Sequence, residues 1–376
     1  RPRRNARPSG LPESRKATSL DNGGEPAMFG SFIRRTTRLL KSKTPTQDDD
    51  LAPSPDHAPT DTPSATRKGR DHHYCVVLAA DEPVSADESE LADGSELADE
   101  SELAVAWKSL EEQMALVPAG ETTLMVTHLK GVNGSEVVPR AHRVRVRAVY
   151  LDRYAVTNED YAQFVAAGAY RRPEWWPPQI LPHVLHFTDR MGTPGPKFWS
   201  DGRPPRDKLK HPVVGICWYE ANAYACWVGK RLPTPAEWQR AGCWTDGDDA
   251  ERRFPWGNAF DPKRTNTWLG GPGDTVPVQD YYEGCTPNGV YQLVGNVWEW
   301  VAAAFECVCD DKHSRVVFER PMGEIRGGAF DTYFANQSTC QFRSGQPLPY
   351  RGTNVGFRCC VSADQLRTVS KPFVIP

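Results

Sequence analysis

The stretch Ala225-Cys-Trp-Val-Gly-Lys-Arg-Leu-Pro-Thr-Pro-Ala-Glu-Trp238 decides how the middle of the chain is read. A helix over Tyr219 to Val228 stops at Gly229, which takes a left-handed conformation without steric cost. Thr234-Pro235-Ala236-Glu237 is a capping box. Thr234 is the N-cap, Pro235 opens the first turn, and Glu237 reaches back from three residues on. The next helix runs through Trp238 to about Cys243. From there to about residue 365 no helical period recurs, only short apolar pieces cut by Gly, Pro, Asn and Asp. Upstream, Val144, Val146, Ala148 and Tyr150 alternate with Arg143, Arg145, Arg147 and Val149, the period of a half-buried strand. Tyr161, Phe164 and Val165, after Thr157-Asn158, mark a short helix. The expected fold over residues 114–365 is α+β, irregular and loop-rich, with little regular secondary structure.

Composition agrees. The 376 residues include 33 Pro and 30 Gly, so turns dominate, and 12 Trp supply large side chains to hold loops together. A net charge of −3 gives no overall field for nucleic acid. No apolar run approaches the ~18 residues of a membrane span. Ten Cys are too few for a disulfide-saturated miniprotein.

The ends differ from the middle. Residues 1–43 hold eleven Lys/Arg against three acids and read as a basic leader, either a solvated tail or an organellar transit segment. Residues 44–113 read as a disordered linker. It contains an acidic hexapeptide repeat, Ala86-Asp-Glu-Ser-Glu-Leu91, Ala92-Asp-Gly-Ser-Glu-Leu97 and Ala98-Asp-Glu-Ser-Glu-Leu103. Its six-residue Leu spacing builds no helical stripe, so it reads as a solvated spacer or an acidic docking tail. Residues 366–376 form a tail.

Six motifs in order carry a family resemblance: His211-Pro-Val-Val214 with Trp218, the Ala225–Trp238 stretch, Phe254-Pro-Trp-Gly-Asn258, Leu293-Val-Gly-Asn-Val-Trp-Glu-Trp300, Ile325-Arg-Gly-Gly-Ala-Phe330 and Asn354-Val-Gly-Phe-Arg-Cys359. The series resembles the formylglycine-generating enzyme, or sulfatase-modifying factor, family. The resemblance implies a variant of the C-type-lectin-like fold. It also implies oxidation of a sulfatase cysteine to formylglycine by two thiols, five residues apart, that hold copper(I). A soft monovalent ion needs such soft ligands.

In this sequence those thiol positions fall near Thr332 and Gln337, or near Phe330 and Ala335 in the other register, and neither register gives a pair. Cys340 is the one Cys between 310 and 358. The resemblance instead pairs Cys340 with Cys243, and Cys226 with Cys359, as disulfides; four buried free thiols are the alternative. Bridges would place maturation in an oxidising, secretory or extracellular compartment. Cys75, Cys217, Cys285, Cys307, Cys309 and Cys360 remain unassigned.

The resemblance further implies structural Ca²⁺, a hard ion suited to oxygen donors. One site would use Gln292, Gly295, Val297 and Glu299, unless Glu299 is a buried acid paired with Arg358. A second would use Asn266, Thr267 and Asp274. His183 and His186 lack an evident third metal ligand, and no phosphate-cradling loop or His-Glu-x-x-His motif is present. Asn133-Gly-Ser135 is a glycosylation acceptor in a secreted chain.

Three functions follow. The first is a module that binds a protein or peptide ligand through the loop from Asp331 to Arg351, presenting Tyr333, Phe334, Asn336, Gln337, Tyr350 and Arg351. The second is a copper-dependent formylglycine-generating oxidase with unconventional thiols, Cys340 acting if unbridged. The third is a scaffold tethered by its charged N-terminal arms.

Overall fold

A computed structural model describes residues 108–130, 136–245, 251–306, 308–309 and 320–367. The basic leader, the acidic repeat, Cys75, Cys307 and the Asn133 acceptor lie outside them. Regular structure begins ahead of the expected boundary at 114, because residues 108–113 are helical and Leu110 is buried with Met114 and Val361. At the other end a helical turn, Ala363–Arg367, crosses the expected start of the tail, and Leu366 packs on the same cluster.

Three small sheets share the chain. Strands β1 (Met114–Val117), β4 (Val149–Asp152) and β10 (Cys360–Ser362) form the first, with β4 central and antiparallel to both. A long ribbon of β2 (Gly120–Lys130) and β3 (Glu136–Val146), extended by β6 (Val308–Cys309), forms the second. The third has the order β8 (Arg343–Pro347), β7 (Met322–Arg326), β5 (Trp298–Ala304), β9 (Val355–Phe357). The alternation through 143–150 is therefore two strands. The chain leaves the β2 ribbon after Val146 and joins a different sheet at Val149.

The helices match the caps in the sequence. Helix α1 (Asn158–Ala166) opens on Thr157, whose side chain accepts from Asp160 N while Asp160 reaches back. Helix α2 (Trp218–Trp227) ends before Gly229, at φ 76°. Helix α3 (Pro235–Cys243) has the expected Thr234–Glu237 box. Buried aromatic rings join α1 and α2 to β9: Tyr161 stacks on Tyr224 at 5.2 Å, and Phe357 meets both edge-on. A second core gathers around Trp238 of α3 with Phe254, Leu293 and Val301. Between residues 243 and 298 the described chain holds only single 3₁₀ turns, as the missing helical period requires.

The turn Gln292 to Val297 shows how loops are fixed without regular elements. Gln292, Gly295 and Asn296 all have positive φ. A Cβ on Gly295 would fall 2.2 Å from Thr265 Oγ1, so only glycine fits there. Asn296 brackets the neighbouring loop. Its Oδ1 accepts from Val276 N and Asn266 Nδ2, and its Nδ2 donates to Val276 O and Gln292 Oε1.

Candidate recognition site

The loop between β7 and β8 starts with Gly327 and Gly328, both at positive φ, and turns back over α3. Thr332 is buried and its Oγ1 accepts from Ala329 N at 2.8 Å. Gln337 lies in the 3₁₀ turn Ala335–Gln337. In one register the positions for the copper thiols thus carry a hydroxyl and an amide, the hydroxyl spent on a local turn, and in the other they carry Phe330 and Ala335.

Cys340 is fully buried, and its thiol meets Cys243 at the end of α3. Burial, reinforced by Cys340, pushes the Cys243 thiol well above the usual range. A thiol in such buried, apolar surroundings is a poor thiolate. Cys226 and Cys359 are likewise thiols in this structure, the first exposed and the second buried, with burial raising Cys359. The structure thus brings together the two residues of the first pair that the resemblance names. Among the other described thiols, Cys217 and Cys360 are fully buried.

The expected binding loop divides in two. Tyr333 and Phe334 are 58% and 59% exposed and meet edge-to-face at 5.1 Å, with Asn336 exposed beside them. Trp268 N donates to Thr332 O, which brings the exposed Trp268 and Leu269 to the same edge. Four large apolar side chains at the meeting of two loops make a recognition patch of the sort that anchors interfaces.

Arg351 does not join that patch. It turns inward to Glu220 of α2, Nε 2.8 Å from Oε2 and Nη2 donating to Oε1 at 3.0 Å, and it donates to Thr188 O and Gly195 O. Glu220 is fully buried and also accepts from Tyr170 Oη at 2.6 Å and Cys217 N at 2.9 Å. Tyr350 packs against the first aromatic core. Both were expected to be presented by the 331–351 loop; the buried Glu220 carboxylate draws Arg351 inward, and core packing holds Tyr350.

The sequence reading missed Trp268, Leu269 and Glu220. Two adjacent large apolar residues in the Gly- and Pro-rich run after Asn266 were the available signal for the first two. Nothing in the local pattern marks a helix glutamate as buried.

The candidate calcium donors are mostly engaged. Glu299 pairs with Arg358, Nε to Oε2 at 2.8 Å and Nη2 to Oε1 at 2.7 Å, and accepts from Trp238 Nε1 at 2.7 Å. That is the buried pair left open as its alternative role. Gln292 Oε1 accepts from Asn296, and Gly295 O accepts from Val297 N. With its carboxylate neutralised in place, the Gln292, Gly295, Val297 and Glu299 set does not fit a divalent cation as arranged. In the second set, Asp274 is engaged by Lys208 at 2.5 Å and by Thr275 N. Asn266 Oδ1 and Thr267 Oγ1, in contrast, are buried oxygens without partners, and these two fit a hard cation.

A profile of the sulfatase-modifying factor enzyme 1-like domain matches residues 100–363. The hercynine oxygenase of Mycolicibacterium smegmatis is 35% identical over 198 residues, covering 50% of this chain and 45% of its own. The inactive C-alpha-formylglycine-generating enzyme 2 of Mus musculus is 31% identical over 257 residues, covering 59% and 78%. The formylglycine-generating enzyme of Thermomonospora curvata is 32% identical over 264 residues, covering 59% and 84%. The chain spans about half the length of the hercynine oxygenases it matches.

Proposed function

Because the chain belongs to the sulfatase-modifying factor enzyme 1-like family, we propose that it serves as a recognition module of that fold and not as a copper oxidase. The family holds proteins named as oxygenases, as formylglycine-generating enzymes and as inactive formylglycine-generating enzymes. The observation that carries the reading is the state of the 329–344 segment: its one thiol, Cys340, is buried against Cys243. The positions where a thiol pair would stand hold Thr332 and Gln337 in one register, Phe330 and Ala335 in the other. The ligand class is a protein or peptide segment with apolar side chains, seated on Trp268, Leu269, Tyr333 and Phe334.

Copper(I) competition tests this. The reduced protein titrated against a colorimetric copper(I) chelator is expected to withdraw no metal. Removal of one equivalent, at an affinity fitting a two-thiolate site, would refute the reading.

Calcium is proposed at the second site, supported by the orphaned Asn266 Oδ1. Thermal melting in calcium is expected to exceed melting in chelator by about 5–10 °C, the gain from a ligand at 100 times its Kd. Asn266→Ala should abolish the difference. Equal melting of the unsubstituted protein in both buffers would reject the site.

A further inference from the structure

The β2–β3 ribbon carries a charge pattern used by neither the core nor the aromatic patch. On β3, alternation turns Val144 and Val146 inward and Arg143 and Arg145 outward, with Arg147 continuing the row past the strand end. Arg140 and His142 are exposed as well. Side chains two residues apart on one face stand about 7 Å from each other, and like charges in such a row repel. Register sets Thr123 and Glu121 opposite Arg143 and Arg145. Glu121 lies 3.6 Å from Arg143 with both side chains well exposed, a weak surface pair. Arg240 adds a further cation at the end of the ribbon, donating to Glu121 O at 3.1 Å and Ala119 O at 3.4 Å. Glu251 stands at the same edge, where it accepts from Thr123 N and offsets the charge of Arg240, so the arginines of β3 carry the exposed positive charge.

The same chain carries the complement. Residues 86–103 hold eight acids and no base, and end five residues before Lys108. The helical segment that starts at 108 packs Leu110 with Tyr150, three residues from Arg147, and leads into β1, where Val117 is opposite Val149. At about 3.3–3.6 Å per extended residue the repeat is longer than the arginine row and is tethered near its end.

We propose that the acidic hexapeptide repeat docks in cis on the Arg143–Arg147 row and shields it from other polyanions. Each exposed pair contributes about 0–1 kcal/mol and is screened over about 8 Å at physiological salt. A short tether supplies an effective concentration in the millimolar range. The cover is therefore reversible and salt-sensitive, and a stronger polyanion displaces it.

The test uses the full chain and heparin as the polyanion probe. In a second chain the eight acids of residues 86–103 are replaced by Asn and Gln. At low salt the neutralised chain is expected to bind heparin about tenfold more tightly than the native chain, a ratio that shrinks as salt shortens the screening length. Arg143→Gln, Arg145→Gln and Arg147→Gln together should weaken heparin binding and erase the difference. These are surface changes, and unchanged melting serves as their folding control. Equal heparin affinity of the native and neutralised chains would overturn the proposal. So would a difference that appears only as the protein self-associates in sedimentation, because the repeat would then lie on a second copy.

Discussion

Arg358→Ala is expected to destabilise the domain by about 3–5 kcal/mol, the usual cost of stranding one member of a buried ion pair. Arg358 is fully buried and Glu299 is 1% exposed. The guanidinium does more than neutralise a charge. It also donates to the carbonyls of Asp152, Arg153 and Tyr291, so it ties β9 to the end of β4 and to the Gln292 turn. Its removal leaves Glu299 with only the Trp238 indole N–H as a side-chain donor. In a domain of this size each kcal/mol is worth about 2–4 °C of melting temperature, which makes the loss measurable by thermal or urea unfolding. The double variant Glu299→Gln, Arg358→Met should lose less, because no bare charge remains. A single variant that melts like the native protein would show that the pair does not organise the core.

The second large effect depends on pH. Burial raises the Glu220 carboxyl above its ordinary 4.5, and Arg351 is the strongest influence holding it down. A group raised in the folded state contributes stability that is complete below the unfolded pKa and lost as pH rises through the folded one. Arg351→Met removes the restraint and moves the folded value further up. The substitution should therefore cost little near pH 4, where Glu220 is protonated in both states. The cost should grow toward neutral pH by about 1.4 kcal/mol for each unit of added shift. Above the variant's folded value it should level off at several kcal/mol, the cost of an unpaired buried charge. Urea unfolding across pH 4–8 reads this directly, and Glu220→Gln in the Arg351→Met background should flatten the profile. A cost independent of pH would mean that Arg351 acts through packing alone.

Much of this was legible in the sequence because it is local. The Thr234–Glu237 box and Gly229 fixed two helix ends within a residue, since caps are chemistry between near neighbours. The absence of a helical period after Cys243 correctly gave an irregular domain. The nearness of Cys243 and Cys340 followed from the family resemblance. What escaped was long-range. The alternation through 143–150 could not reveal that the chain changes sheets after Val146, because both strands present the same period. Arg351 reads as a surface loop residue until Glu220, far away in sequence, is found buried beneath it. Glu299 carries the same residue type whether it binds a cation or an arginine, and only Arg358 across the sheet decides between them. The aromatic patch needed Trp268 and Thr332 brought together by one backbone hydrogen bond, which no spacing encodes.

The central claim is that this member of the family recognises a partner without oxidising it. The most direct test is mass spectrometry of a sulfatase-type cysteine peptide incubated with the purified full chain, copper(I), oxygen and a thiol reductant. The account predicts an unchanged cysteine with folded protein throughout. Conversion to the aldehyde would contradict it, and would require Cys340 to leave Cys243 and meet a second thiol at the surface.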